Sequence, residues 1–240
     1  MAEGQRALIV SAHPEPTSFQ AALRAAAVEE LAAQGFAVHV SDLCAMGFKA
    51  TLGPEDFNDP RDTTRLNVSL EQRHAWQQGT LAPDVAIELD HLLAADLLLL
   101  MFPLWWFGPP AILKGWIDRV FVSGAVYGRT AVFEKGRLQG KRALLAVSTG
   151  APSQAYGAHA LNGDMNDILM PLHRGVLGFT GMTVLPPYVA YHVPYVGPVG
   201  RAALLEAWRH HLRALEHLPA LPMPRLSDHP DALGAGERAH

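Results

Sequence analysis

The sequence predicts an α/β domain: an open, doubly wound parallel sheet of five strands with helices on both faces. Three observations predict it. Short apolar runs at 7–12, 96–102 and 142–148 are nearly unbroken, as in strands buried on both faces. Segments with apolar residues at helical spacing lie between them, so strands and helices alternate. The residues directly after each run are rich in proline, glycine, hydroxyls and aromatics. That is where sheets of this kind bind their ligands.

The elements follow in order. The run 7–12 is the first strand, and His13-Pro14-Glu15-Pro16 ends it because two prolines forbid regular pairing. Thr17 and Ser18 offer capping oxygens to a helix whose apolar face is Phe19, Leu23, Ala26, Ala27 and Leu31. Gly35 stops that helix, and 36–40 is the second strand. The unit is βαβ, which implies a right-handed crossover and parallel pairing. Residues 42–90 are polar and carry Pro54, Pro60 and Pro83, so a functional loop or short helices are expected there, with Leu92 and Leu93 closing one helix. The third strand is 96–102. A helix over 109–123 starts at proline and repeats Ile112, Trp116, Ile117 and Val120. The fourth strand is 142–148. A helical stretch near 164–177, capped by Asp164, precedes a fifth strand at 182–189. Residues 201–217 form an amphipathic helix with Leu204, Leu205, Trp208, Leu212 and Leu215 inward. The domain is therefore expected over 1–218, with a loose tail rich in proline, alanine and glycine at 219–240.

Composition narrows the function. Of 240 residues, 49% are hydrophobic and 18% charged, which excludes global disorder. A formal charge of −4 gives no basic excess, arguing against a nucleic-acid partner. The single cysteine, Cys44, excludes an internal disulfide framework and suits a reducing compartment. Residues 1–6 do not read as a leader. The apolar run 97–107 is broken by Pro103 and is far short of the ~20 residues that span a bilayer. A cytoplasmic protein with no membrane span is expected.

Three loops fall at adjacent strand ends. After the first strand, His13 to Phe19 holds neither GxGxxG nor GxxxxGK[ST]. It is a hydroxyl-bearing turn entering a helix N-terminus, either a plain cap or an anion site, and on the turn alone the cap is the simpler reading. After the third strand comes Phe102-Pro103-Leu104-Trp105-Trp106-Phe107-Gly108-Pro109-Pro110. Its aromatics suit the wall of a flat ring system, or a core or subunit contact. After the fourth comes Ser148-Thr149-Gly150-Ala151-Pro152, then Tyr156, where small residues let backbone approach a ligand and a phenol can donate to developing negative charge. Together they suit a flat, phosphorylated cofactor. Other chemistries lack a motif: there is no GxSxG elbow, and Cys44 has no flanking basic residue. The twelve histidines show no HExxH spacing, and His159, His173 and His192 are read as solvated or core.

Longer strings carry a resemblance. The stretch from Phe102 through Trp116-Ile117-Asp118-Arg119-Val120 resembles the NAD(P)H:quinone oxidoreductases of the DT-diaphorase type. So do Ala12-His13-Pro14-Glu15-Pro16-Thr17-Ser18-Phe19, Ser148-Thr149-Gly150 and Leu161-Asn162-Gly163-Asp164-Met165-Asn166, in order from about Arg6 to Leu215. The resemblance implies a flavodoxin-like fold, bound FAD in preference to FMN, and a homodimer with sites at its interface. It implies ping-pong transfer of a hydride from NAD(P)H through flavin N5 to a quinone. By position, His13, Thr17, Ser18, Phe19 and Gln20 are expected on the diphosphate and ribityl part, Asn67 on the cofactor from the long loop, and Arg201 near the adenosine. Pro103, Leu104, Trp105, Trp106 and Phe107 are expected on one side of the isoalloxazine, with Ser148, Thr149, Gly150 and Ala151 on its other edge. Tyr156 is expected near flavin O2. The slot shared by nicotinamide and quinone is expected to be lined by Trp106, Phe107, Tyr127 and Phe179, the last two from the other subunit. The catalytic set so implied is Tyr156, Asn162 and Gly150.

Three departures stand out. Asn162 occupies the place of a relay histidine and cannot take up a proton at neutral pH. Arg174 and Gly178 stand where a riboside-using relative has metal-binding histidines, so no metal is expected. The sequence ends soon after the last helix without the long C-terminal lobe of DT-diaphorase, so part of the usual pyridine-nucleotide grip is expected to be absent and the electron donor is left open. Two alternatives remain: a related reductase of nitro or azo compounds, and a non-catalytic flavodoxin-like subunit serving another protein.

Overall fold

The computed structural model describes residues 4–229 and 231. The sheet has β1 (Arg6–Ser11), β2 (Ala37–Asp42), β3 (Leu97–Pro103), β4 (Arg142–Ser148), β5 (Thr183–Val184) and β6 (Tyr188–Ala190). All pairings are parallel, in the order β2-β1-β3-β4-β5, with β6 also on β4. The order reverses between β1 and β3, so the strand ends there form the crevice of a doubly wound sheet. Every residue of β3 is buried, which explains its all-apolar sequence.

The helices divide between the faces as expected. On one side α1 (Phe19–Ala33) packs on α6 (Gly197–Arg213). Leu23, Ala26, Ala27 and Leu31 meet Trp208 and Leu212 there. Trp208 donates its indole N–H to the Leu23 carbonyl at 2.9 Å, so the buried polar atom is satisfied. On the other side lie α2 (Val68–Gln78), α3 (Pro83–Ala94), α4 (Ala111–Val120) and α5 (Met165–Leu172), around Trp116, Leu113 and Leu89. The polar stretch 42–90 thus supplies two helices, as its length suggested.

A buried charge network pins that stretch to the core. Arg119, on α4, is 2% exposed. Its guanidinium donates to Asp56 at 2.8 Å, to Asp84 at 2.6 Å and to the Lys49 carbonyl at 3.0 Å. At Gly115 any side chain would run into the backbone of Ala50, which fixes how closely α4 lies against the loop.

Two elements differ from expectation. The fifth strand is interrupted: β5 and β6 pair with the two ends of β4, and Pro186 and Pro187 lie between them. Prolines have no N–H for the ladder, so the run cannot pair throughout. The loose tail gives way, over 219–229, to a docked strap. Leu221 N–H donates to Val184 O at 2.8 Å, and the N–H groups of Leu226 and Ser227 both donate to the Glu134 carboxylate. Those two bonds hold the Glu134 pKa below the usual carboxylate range, the Leu226 bond most. The remainder of the expected tail, residue 230 and residues 232–240, lies outside the described residues.

Candidate functional site

Loops from three strand ends meet around a cavity of about 230 Å³, lined by His13, Phe19, Gln20, Pro103, Leu104, Trp105, Ser148, Thr149 and Gly150. Val193 and Pro194, from the loop after β6, complete the lining.

The first loop is a helix cap whose outward N–H groups could also receive an anion. Ser18 is the N-cap of α1 and accepts from Ala21 N–H at 3.2 Å. Thr17 instead donates its hydroxyl to Glu15 at 2.6 Å, which occupies that carboxylate. The N–H groups of Phe19 and Gln20 have no acceptor within the helix and sit at its positive end. His13 Nδ1 accepts from Glu15 N–H at 3.1 Å, leaving Nε2–H as the donor of a neutral ring. Gln20 is 4% exposed and ties the three strands' loops together. Its Nε2 donates to Phe102 O at 2.6 Å and to Ser148 Oγ at 3.0 Å, while its Oε1 is buried without a partner. A buried acceptor left open on a cavity wall calls for a donor from a ligand.

The aromatic loop is held in a strained turn. Trp105 and Gly108 exchange both backbone hydrogen bonds at 3.0 Å. Between them Trp106 and Phe107 have φ of 50° and 58°. Two bulky residues in the left-handed region cost free energy that the flanking structure must hold, a state that clusters at functional sites. The turn also leaves Trp106 99% exposed and Phe107 51% exposed. A fold seeking only core packing would bury them.

The third loop is clamped from the side. Thr149 N–H donates to Ala190 O at 2.9 Å, and Val193 N–H donates to Thr149 O at 3.1 Å. His192 N–H reaches Ala151 O, and its ring Nδ1 lies 3.0 Å from Gly150 O. Tyr156 places its hydroxyl 2.7 Å from Thr149 Oγ1, and its ring packs on Tyr191. Burial first, with Tyr156 and Asp164 behind it, pushes the Tyr191 pKa up. Asn162 closes the adjoining loop through its N–H to Ala155 O at 2.9 Å, and Asp164 caps α5 by accepting from Asn166 N–H. A Cβ at Gly150 would meet only Pro194 Cγ, at 4.0 Å, so the protein itself does not demand glycine there.

Other expected residues lie apart. Asn67 caps α2, exposed, and Arg201 lies in α6; neither lines the cavity. Tyr127 and Phe179 meet as tilted rings, centroids 6.0 Å apart, on a separate cavity of about 410 Å³, beside Val68, Gln72 and Ile117. Cys44 is a half-buried free thiol whose pKa burial and then Asp42 push up, which disfavours the nucleophilic thiolate. Val193 and Pro194 escaped the sequence reading, and His192, read there as solvated or core, instead clamps the Gly150 turn. Their signal was their place after the last strand, the same edge that supplied the other loops.

A parallel sheet in the order β2-β1-β3-β4-β5 with a cavity at its switch point defines the flavodoxin-like class. The family model described as "Flavodoxin-like fold" matches residues 5–215. The chain is 42% identical over 212 residues to rat NAD(P)H dehydrogenase [quinone] 1, covering 88% of this chain and 77% of that one. Human ribosyldihydronicotinamide dehydrogenase [quinone] is 38% identical, covering 88% of this chain and 92% of that one. A solved structure from Klebsiella pneumoniae, described as a candidate quinone reductase, superimposes with TM-score 0.87 at 35% identity, covering 92% and 88% of the two chains. The chain belongs to the flavodoxin-like NAD(P)H dehydrogenase (quinone) family of oxidoreductases. Among the described residues no helix is long and apolar enough to cross a membrane.

Proposed function

We propose that the chain is a flavin-dependent NAD(P)H:quinone oxidoreductase, using FAD, working as a homodimer in the cytoplasm. The observation that carries it is the strained turn at Trp106 and Phe107, which spends backbone energy to present rings to solvent beside a cavity with an unsatisfied acceptor. When bound, a flavin would supply two-electron redox chemistry between a reduced nicotinamide and a quinone.

The chain's own groups have assignable tasks. The His13 Nε2–H, the first N–H groups of α1 and the Ser18 hydroxyl hold the phosphates, and Thr17 joins them by turning its hydroxyl away from Glu15. Gln20 Oε1 accepts from a ribityl hydroxyl. Pro103, Leu104 and Trp105 wall the ring, and the glycine turn at Ser148, Thr149, Gly150 and Ala151 brings backbone N–H groups to its polar edge. Asn67 and Arg201 are assigned to the outer parts of the cofactor. The Tyr156 hydroxyl turns from Thr149 to donate where negative charge collects. The Asn162 amide supports it as a donor and moves no proton. Trp106 and Phe107 form one wall of the substrate slot and exclude water from it. Tyr127 and Phe179, on their separate cavity, are assigned to the slot of a second copy. Exposed Leu66, Val68, Leu70 and Trp76 support such a pairing face.

The test is anaerobic reduction with NADH or NADPH, followed by mixing with a quinone. Bleaching and fast recovery are expected. Tyr156→Phe is expected to slow bleaching about 10²–10³-fold at unchanged flavin content, the loss seen when one preorganised donor is removed. Recovery with nitro or azo compounds but not quinones would overturn the acceptor. No turnover with any acceptor would point to an ancillary subunit.

A further inference from the structure

At the far end of the sheet from the strand-end cavity lies a second group of chemistry-bearing side chains. His39 comes from the edge strand β2, and Glu88 and His91 come from one face of α3. One ligand-type atom from each lies within 4.8 Å of the other two.

Glu88 is buried and His91 half-buried, and among the described residues neither has a cationic partner at hydrogen-bond distance. Glu88 is 1% exposed. Its Oε1 accepts from Ser41 Oγ at 3.0 Å and its Oε2 from the Trp116 indole N–H at 2.7 Å. Both donors are neutral, and no lysine or arginine pairs with Glu88 among the described residues. A buried carboxylate normally has a cation, either a side chain or a metal. His91 Nδ1 is buried with no hydrogen-bond partner and lies 3.8 Å from Glu88 Oε1. That gap is too wide for a hydrogen bond and close to the ~3.3 Å between two ligands of one tetrahedral zinc with bonds near 2.0 Å. The His39 and His91 rings lie in contact, with centroids 3.7 Å apart and planes tilted by 52°.

We propose that His39, Glu88 and His91 bind a single divalent cation of the zinc class. Two imidazoles and one carboxylate are a borderline donor set that suits Zn²⁺, and by geometry and softness also Co²⁺ or Ni²⁺, over Mg²⁺ or Ca²⁺. Ser41 and Trp116 supply the outer hydrogen bonds that fix the carboxylate. A cavity of about 220 Å³, lined by Leu8, Val38, His39, His91 and Ala95 and also by Arg6, gives the ion an entry path and room for a water as fourth ligand. The ion would cross-link the edge strand β2 to α3, 49 residues away in sequence at His39 and Glu88. Its place away from the cofactor cavity makes the role one of holding that edge, not of catalysis. The positions differ from Arg174 and Gly178, so this site is independent of the one that the family resemblance put out of reach.

The test uses the full-length protein after treatment with a chelator and buffer exchange. Zn²⁺ is titrated against a chromophoric chelator, and Co²⁺ is added separately. One Zn²⁺ per chain is expected, with a visible Co²⁺ band of four-coordinate intensity and a rise in Tm on Zn²⁺ addition. His39→Ala, at an exposed ring, is expected to weaken binding at least about tenfold, since outer-shell losses alone cost 10–100-fold. His91→Ala is expected to abolish the Co²⁺ band. His210→Ala, on α6, is expected to change none of these. No stoichiometric binding, or binding that His39→Ala and His91→Ala leave intact while both variants fold, would overturn the site. Circular dichroism of each variant keeps a folding failure from being read as ligand loss.

Discussion

His173 gives a prediction whose magnitude follows from the structure. It opens the π-helical segment His173–Gly178, is 4% exposed, and has a buried Nε2 with no partner. Burial without a compensating acceptor pushes its pKa from 6.5 down to about 4. Above pH 6.5 the ring is neutral in both folded and unfolded chains and costs nothing. As pH falls from 6.5 to 4 the unfolded chain takes up a proton that the folded one refuses, so stability drops at up to about 1.4 kcal/mol per pH unit. Over the whole window that is about 3 kcal/mol, and below pH 4 the loss levels off. The assay is urea unfolding of the native chain and His173→Leu at half-unit steps from pH 7.5 to 4. The difference between the two isolates this residue from other titrating groups. The native chain is expected to lose about 3 kcal/mol relative to the variant across the window. A difference that stays flat with pH would refute the reasoning.

Three further outcomes follow from the packing. Gly150→Val is expected to keep the melting temperature, because the nearest atom to a new Cβ is 4.0 Å away, and to lose flavin by absorbance; full loading would displace the assigned edge of the ring. Gly115→Ala is expected to lower stability by about 1–3 kcal/mol in chemical denaturation, because the new methyl meets Ala50 backbone that has no freedom to retreat. Arg119→Met would leave buried Asp56, 3% exposed, with only the more distant Lys49 ammonium at 3.8 Å, and a loss of about 3 kcal/mol is expected in the same assay.

The sheet was legible because it is buried on both sides. Where both faces are apolar, as in β3, the run in the sequence is the strand. The edge strand β2 alternates in burial and still read correctly, because Gly35 marked its start. The fifth strand misled because hydrophobicity spans 182–189 while Pro186 and Pro187 remove the ladder donors. The tail misled for the opposite reason. Its composition reads as loose, yet a single half-buried carboxylate, Glu134, collects two backbone N–H groups and docks it. At the candidate site the loops after β1, β3 and β4 were legible from their place in the βα order. The clamp at His192 to Pro194 was not, since nothing local distinguishes it from an ordinary turn. The group at His39, Glu88 and His91 shows the same limit. Glu88 and His91 carry a visible i, i+3 spacing, but only the fold brings a histidine from β2 to meet them.

The central claim is that the crevice between the strand ends is a flavin site. The direct measurement is a visible spectrum of the purified chain, with the released cofactor identified by mass. Absorbance near the flavin bands and a stoichiometric FAD peak are expected, lost together in Gly150→Val. A colourless protein that also fails to take up added FAD or FMN, while folded by circular dichroism, would contradict the account.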